Sequence, residues 1–185
     1  VWDVGVVDEG ERRMADAMAA ARAADVAVVM AGLEEGEFRD RASLALPGRQ
    51  EELIRRVAAT GTPVVVVLVG GGAVTMRPWL DRVAAVLDLW YPGEAGGEAL
   101  AALLFGAASP GGRLPITFPV AEGQLPLVYN HLPSGRGDDY DDLTGLPQFP
   151  FGFGLGYTTF AYDSLRILPD TVATGSGLQV RCTIT

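Results

Sequence analysis

Three short, largely apolar runs rich in valine constrain the fold of this chain most strongly. They are Val26–Ala31, Val64–Val69 and Ala84–Trp90. Continuous apolar runs of this length are typical of strands that are buried on both faces of a parallel sheet. The sequence therefore predicts three parallel strands.

Amphipathic stretches precede and separate these runs. A helix is predicted over Glu9–Ala24, where apolar residues recur at helical spacing opposite a charged face. Two more helices are predicted over Arg49–Thr60 and Glu98–Phe105. Alternating helices and parallel strands require right-handed crossovers, which place helices on both faces of the sheet. The prediction is an α/β fold, a three-layer sandwich with a mostly parallel sheet.

The pattern changes after Gly106, where the chain becomes rich in proline and glycine. Short strand-like pieces are predicted there at Arg113–Phe118 and Leu125–Tyr129. Further short strands are predicted at Thr158–Tyr162, Ser164–Leu168 and Leu178–Thr185. We expect an α/β domain over residues 1–155 and the beginning of a β-sandwich domain over residues 156–185. Because the chain starts at Val1, we also expect it to be part of a longer protein.

Composition excludes several classes of partner. The 14 Lys and Arg against 23 Asp and Glu give a net charge of -9, which repels nucleic acid and anionic lipid. The apolar runs are too short to cross a bilayer, so we expect no membrane partner. A single cysteine, Cys182, and a single histidine, His131, exclude a disulfide within the chain and a Cys/His zinc site. The compartment stays open, with secreted and periplasmic locations among the options.

The loops that follow the three strands should meet at one edge of the sheet. The second and third loops are glycine-rich, GGGAV and YPGEAGG, and the first is an acidic loop, residues 33–48. Its charged residues are Glu34, Glu35, Glu37, Arg39, Asp40 and Arg41. General acid catalysis uses a carboxyl group whose pKa is raised by burial or by neighbouring negative charge. The same residues also fit a solvated loop whose carboxylates pair with the arginines, and charge alone does not decide between the two.

Other chemistries find little support. The chain has no G-x-S-x-G elbow, and its FGFGLG segment lacks the spacing of a dinucleotide-binding loop. The acidic run over residues 138–142 is interrupted by Tyr140, which breaks the ligand spacing of a calcium loop. We therefore expect a solvated loop there, no bound metal and no cofactor.

Five segments, in order, carry a more specific signal. They are GEFRDRASLALPGRQEELI, TGTPVVVVLVGGGAV, WYPGEAGGEALAALLFGAASPGGRLPITFP, YNHLPSGRGDDY and FPFGFGLGYTTF. Together they resemble the C-terminal part of glycoside hydrolase family 3, the β-glucosidase and β-xylosidase family, over roughly Ala23 to Leu165. The resemblance implies a barrel domain before this α/β domain and a fibronectin type III-like domain after it.

The resemblance also implies site residues. In that family the nucleophile is an aspartate of the barrel, and many members take the acid/base glutamate from an E-G-[FY]-D-R pattern in the α/β domain. Aligned on Arg41, the loop here reads E-F-R-D-R, which puts Glu37 at the acid/base position. Phe38 then stands where the pattern has glycine, and Arg39 where it has an aromatic residue.

Two further assignments follow from the same alignment. Glu35, which is itself followed by glycine, is the alternative acid/base, and Asp40 and Arg41 are expected to hold the loop or contact substrate hydroxyls. Trp90 and Tyr91, at the end of the third strand, fit either a sugar-stacking platform or core aromatics that pack against the barrel.

The function implied is that of an exo-acting retaining β-glycosidase that removes terminal non-reducing β-linked sugars. Its partners would be a carbohydrate substrate and the barrel domain of the same chain. This chain alone would be inactive, because retaining glycosidases need two carboxyl groups. The alternative is a non-catalytic carbohydrate-binding or docking module related to the same family.

Overall fold

The computed structural model describes residues 10–132 and 138–185. Its helices and strands, in chain order, are α1 (Gly10–Arg22), β1 (Ala27–Gly32), α2 (Gln50–Ala58), β2 (Val64–Val69), β3 (Ala85–Asp88), α3 (Gly96–Leu104), β4 (Tyr162–Leu168) and β5 (Gln179–Ile184). Short 3-10 turns lie at Leu80–Arg82 and Glu122–Gln124. Glu9 of the expected first helix, and residues 133–137 of the segment YNHLPSGRGDDY, lie outside the described residues.

The three valine-rich runs form one parallel sheet, as predicted, and its strand order is β1-β2-β3. Val29 of β1 pairs with Val66 of β2, which pairs in turn with Val86 of β3. The third strand is shorter than expected because the chain turns after Asp88. The carboxylate of that residue accepts the backbone N–H of Trp90 at 3.0 Å, and Trp90 has a left-handed φ of 53°.

One face of this sheet carries the main hydrophobic core. Val29, Val66 and Leu68 alternate along the strands and belong to one buried cluster with Ile54 and Val57 of α2. Each such side chain contributes about 1.5–3 kcal/mol when it is fully removed from water. The α/β class predicted from the apolar runs and the amphipathic helices is thereby confirmed.

The segment between α3 and β4 differs from the prediction. Neither Arg113–Phe118 nor Leu125–Tyr129 forms a strand, and Phe118 makes only an isolated bridge with Phe149. The physical reason is proline: Pro115 and the prolines at 119 and 126 lack the N–H that a β-ladder needs. Phe118 instead is buried in the core.

The last strands pair with each other. β4 and β5 are antiparallel, with Tyr162 opposite Ile184. The strand expected at Ser164–Leu168 forms as part of β4, whereas only Tyr162 of the piece expected at Thr158–Tyr162 lies in a strand. A small antiparallel sheet therefore follows the α/β part. A domain boundary at residue 155 and a fibronectin type III-like identity for these strands stay predictions. Across the described part of the chain, no helix has the length and apolar character that crossing a membrane requires.

Candidate active site at the carboxyl edge of the sheet

The loops that follow β1, β2 and β3 lie side by side at the carboxyl edge of the sheet. The backbone N–H of Leu33, the first residue of the acidic loop, donates to the Val69 carbonyl at 2.8 Å. The N–H of Gly70 donates to the Trp90 carbonyl at 3.3 Å. Because adjacent parallel strands end here together, side chains from three distant parts of the sequence can meet.

Glu35 is the residue at which the three loops meet. Its Oε2 accepts the backbone N–H of Gly71 at 2.6 Å and the hydroxyl of Tyr91 at 3.0 Å. Its Oε1 lies 3.2 Å from Nε of Arg41. The side chains of Glu35 and Arg41 are only 23% and 21% exposed, so this ion pair is shielded more than an ordinary surface pair. Glu35 therefore ties the acidic loop to the loops after β2 and β3.

The glycines after β2 make this approach possible. A Cβ at Gly71 would lie 2.8 Å from Oε2 of Glu35 and 2.9 Å from Cε2 of Tyr91. A Cβ at Gly72 would lie 3.2 Å from Nη2 of Arg41. A side chain at either position would push the Glu35, Tyr91 or Arg41 side chains away from their present contacts.

The far end of the acidic loop is also held. The hydroxyl of Ser43 and the backbone N–H of Leu44 both donate to Oε1 of Glu122, at 2.8 Å and 2.6 Å. The hydrogen bond from the Leu44 backbone is the main reason why the pKa of Glu122 lies below its ordinary value. Arg41 adds hydrogen bonds to the carbonyls of Ser43 and Ala73. No sequence signal connected Glu122, far along the chain, with this loop.

The tip of the loop, residues 36–40, projects from these anchors. The N–H of Arg39 donates to the Gly36 carbonyl at 3.1 Å and closes the turn. Glu37 and Asp40 are exposed, and neither forms a hydrogen bond or ion pair with the residues that the structure describes. The structure thus brings Glu35 and Arg41 together and leaves Glu37 and Asp40 on the free tip.

The aromatic residues after β3 have separate environments. Trp90 packs edge-on against Phe118, with ring centroids 6.2 Å apart. Tyr91 is 57% exposed and donates its hydroxyl to Glu35. Desolvation raises the pKa of Tyr91 above its ordinary value, and the Glu35 carboxylate raises it further. The role of Tyr91 as a partner of Glu35 was not anticipated from the sequence, which suggested only stacking or core packing.

The second acidic region is a hydrogen-bonded turn. Oδ1 of Asp139 accepts the N–H of Gly145 at 2.7 Å and the hydroxyl of Thr144 at 3.3 Å. Nε2 of His131 lies 3.3 Å from Oδ1 of Asp138. Within residues 10–132 and 138–185, no group of three or more His, Cys, Asp or Glu side chains is arranged to hold a metal ion.

Comparisons with known proteins give one consistent result. A family model described as the glycosyl hydrolase family 3 C-terminal domain matches residues 6–157. A β-glucosidase of Rhizobium radiobacter is 41% identical over 194 aligned positions, which cover 95% of this chain and 24% of that protein. β-D-xylosidase 1 of Arabidopsis thaliana is 44% identical over 169 positions, covering 85% of this chain and 22% of that protein.

A solved structure agrees with these relatives. The β-glucosidase of Erythrobacter marinus superimposes with a TM-score of 0.82 at 36% identity, covering 94% of this chain and 24% of that one. The chain thus spans about a quarter of the length of the curated relatives it matches.

Proposed function

This chain belongs to glycosyl hydrolase family 3 through the C-terminal domain of that family, and from that premise we propose that it forms part of an exo-acting retaining β-glycosidase. The reaction removes terminal non-reducing β-linked sugars and requires two carboxyl groups that flank the scissile bond. Glu37 is the general acid/base of this proposal. The nucleophile is an aspartate of a barrel domain in the same protein.

The observation that favours Glu37 over Glu35 is the difference in their surroundings. Both oxygens of Glu35 are already engaged, by the Gly71 N–H, the Tyr91 hydroxyl and Arg41. Glu37 is exposed and has no such partner in the described part of the chain. A general acid must place a free carboxyl oxygen within hydrogen-bond reach of the leaving-group oxygen. The free carboxyl group of Glu37 is available for such a contact, whereas both oxygens of Glu35 are engaged, and this difference supports Glu37.

The proposed mechanism uses Glu37 twice. It first donates its proton to the glycosidic oxygen while the nucleophile attacks the anomeric carbon, which forms a covalent glycosyl-enzyme and releases the leaving group. It then takes a proton from the water that hydrolyses this intermediate. In this scheme Glu35 and Arg41 act through the loop, by fixing the backbone from which Glu37 projects. No cofactor takes part.

The test compares Glu37→Ala with Glu35→Ala in the protein that carries the barrel domain. We expect Glu37→Ala to hydrolyse cellobiose about 100-fold to 10,000-fold more slowly, since general acid catalysis contributes that much. The rate of Glu37→Ala should fall less on aryl β-glucosides and aryl β-xylosides, because their leaving groups need little protonation. Azide should restore the turnover of these aryl substrates. Glu35→Ala should also hydrolyse these substrates more slowly than wild type, but azide should not restore its rate.

The control is Glu34→Ala, because Glu34 is an exposed glutamate of the same loop that pairs with Arg39 at the surface. It should hydrolyse every substrate at the wild-type rate. Hydrolysis of cellobiose by Glu37→Ala at the wild-type rate would falsify the acid/base assignment. A wild-type protein that binds β-linked sugars but hydrolyses none of them would instead favour the non-catalytic binding module.

A further inference from the structure

Glu122 joins the acidic loop to a segment that is distant in the sequence. It is the first residue of the 3-10 turn Glu122–Gln124, and its Oε1 accepts both the Ser43 hydroxyl and the Leu44 backbone N–H. The bond from Leu44, at 2.6 Å, is charge-assisted, and such bonds are shorter and stronger than those between neutral groups. A single exposed carboxylate therefore holds two consecutive residues of the loop.

The turn that carries Glu122 is itself fixed by a buried side chain. Gln124 is 2% exposed, and its Oε1 accepts the backbone N–H of Val120 at 2.6 Å. Its Nε2 donates to the carbonyls of Thr144 and Leu146, at 2.8 Å and 3.0 Å. A buried amide that is paired at both ends rigidifies the backbone around it. Glu122 thus projects from a rigid turn rather than from a free loop.

Glu37 lies between two fixed points of the acidic loop. Before it, Glu35 is bound to the loops that follow β2 and β3. After it, Leu44 is held on both sides, because its N–H donates to Glu122 and its carbonyl accepts the N–H of Thr75 at 2.9 Å. A segment tied at both ends explores less space than one tied at a single end. Loss of the Glu122 carboxylate would therefore loosen the second of these two points.

Ser43 links Glu122 to the residues that border the loop tip, residues 36–40. The hydroxyl of Ser43 donates to Glu122 at 2.8 Å, and its carbonyl accepts from Nη1 of Arg41 at 3.3 Å. Arg41 in turn forms the ion pair with Glu35, at 3.2 Å. The residues on both sides of the tip are therefore connected to Glu122 through a continuous series of hydrogen bonds and one ion pair.

We propose that Glu122 is a positioning residue for the general acid, because it fixes the part of the acidic loop that follows Glu37. This inference rests on the proposed function of Glu37. In this role Glu122 contacts no substrate atom, and its carboxylate acts only as an acceptor for the loop. Its loss slows the step in which a proton reaches the glycosidic oxygen and leaves the binding of the terminal sugar unchanged.

The experiment compares two substrates in the protein that carries the barrel domain. One is a disaccharide that the wild type hydrolyses, cellobiose or xylobiose, and the other is the dinitrophenyl glycoside of the same sugar, whose leaving group needs no protonation. Glu122→Ala should lose about tenfold in kcat on the disaccharide, less than the roughly hundredfold that a misplacement of about 1 Å can cost, because Thr75 still holds Leu44. Its KM for the disaccharide, and its kcat/KM on the dinitrophenyl glycoside, should stay within about twofold of wild type.

Two further variants separate positioning from folding. Glu122→Gln keeps an acceptor oxygen in the place of Oε1, so it should retain at least about a third of the wild-type kcat on the disaccharide. The matched control is Asp142→Ala, which also removes a carboxylate between α3 and β4. Asp142 is exposed and forms no hydrogen bond or ion pair with the residues that the structure describes. The control should match wild type on both substrates.

An equal loss on both substrates would overturn the positioning role, because a smaller folded fraction slows every reaction alike. A wild-type rate of Glu122→Ala on the disaccharide would also overturn it, as would a Glu122→Gln variant that is as slow as Glu122→Ala. Failure of the proposed function is a separate result. In that case Glu37→Ala hydrolyses the disaccharide at the wild-type rate, whereas failure of the positioning role alone leaves Glu37→Ala slow.

Discussion

A substitution at Gln50 would test how the start of the acidic loop is held at the end of β1. Gln50 is the first residue of α2 and only 4% exposed. Its Oε1 accepts the backbone N–H of Gly32 at 2.7 Å, and its Nε2 donates to the Gly32 carbonyl at 2.9 Å. Gly32 is the last residue of β1, immediately before the acidic loop. One buried amide therefore pairs both backbone groups at the point where the site begins.

The cost of Gln50→Ala follows from those two hydrogen bonds. Without the Gln50 side chain, the buried N–H and the buried C=O of Gly32 each lose their hydrogen-bond partner, which costs about 1–3 kcal/mol per group. Water that enters the space of the lost side chain recovers part of this energy. We expect a net loss of about 3 kcal/mol in the free energy of unfolding, or a fall of about 6–12 °C in Tm for a domain of this size.

The assay is urea unfolding of the chain, followed by tryptophan fluorescence, since Trp79 is 0% exposed and reports on the core. The matched control is Gln179→Ala, which removes a glutamine from the exposed strand β5, where its Oε1 accepts from Nε of Arg181 at 2.9 Å. The control should stay within about 0.5 kcal/mol of wild type. If Gln50→Ala and Gln179→Ala unfold at the same urea concentration, Gln50 does not hold the strand end and the reasoning is refuted.

Two further predictions concern the last residue of β1 and the ion pairs of α2. Gly32→Ala should destabilise the chain by about 4 kcal/mol or more, because its Cβ would overlap the Val69 carbonyl oxygen, a backbone atom that cannot move aside; urea unfolding at the wild-type midpoint would contradict it. Hydrogen bonds from Arg49 lower the pKa of Glu52 to about 2, below its value in the unfolded chain. The ion pairs of Glu52 therefore stabilise the fold fully above about pH 4.5, and this stabilisation is lost as the pH falls towards 2. Thermal unfolding should show wild type losing its advantage over Glu52→Gln across that range, and a difference independent of pH would count against the pairing.

The sequence predicts the three strands of the parallel sheet well, because each strand lies in a largely apolar run that stands out in the sequence. Val64–Val69 has no polar residue, so it can only be a buried element, but its register with β1 is seen only in the folded sheet because the run has no polar and apolar alternation. The strand predicted at Arg113–Phe118 does not form. Its apolar residues suit a strand, but Pro115 and Pro119 have no backbone N–H to donate to a β-ladder. The apolar pattern of a sequence does not show this loss of backbone hydrogen-bond donors.

The candidate site was predictable only as a location. Strand ends in a parallel sheet converge, so the acidic loop and the glycine-rich loops were expected at one edge. Which side chains touch there depends on pairs far apart in the chain, such as Glu35 with Tyr91 and Ser43 with Glu122. No periodicity or spacing encodes those contacts, because each is set by the packing of loops rather than by a regular element.

The charges of the acidic loop first suggested two exclusive interpretations, a paired structural loop or a catalytic one. The structure pairs Glu34 with Arg39 and Glu35 with Arg41, whereas Glu37, two residues after Glu35, forms no ion pair with the residues that the structure describes. Two residues span at most about 7 Å, so the Glu37 backbone stays within that distance of a fixed point on the sheet edge. For the proposed acid/base role this restriction is useful, because much of the entropy of placing the carboxyl group against a substrate is already lost in folding. In this proposal the Glu35 carboxylate, held by Arg41, positions the Glu37 carboxyl group through the backbone that joins them.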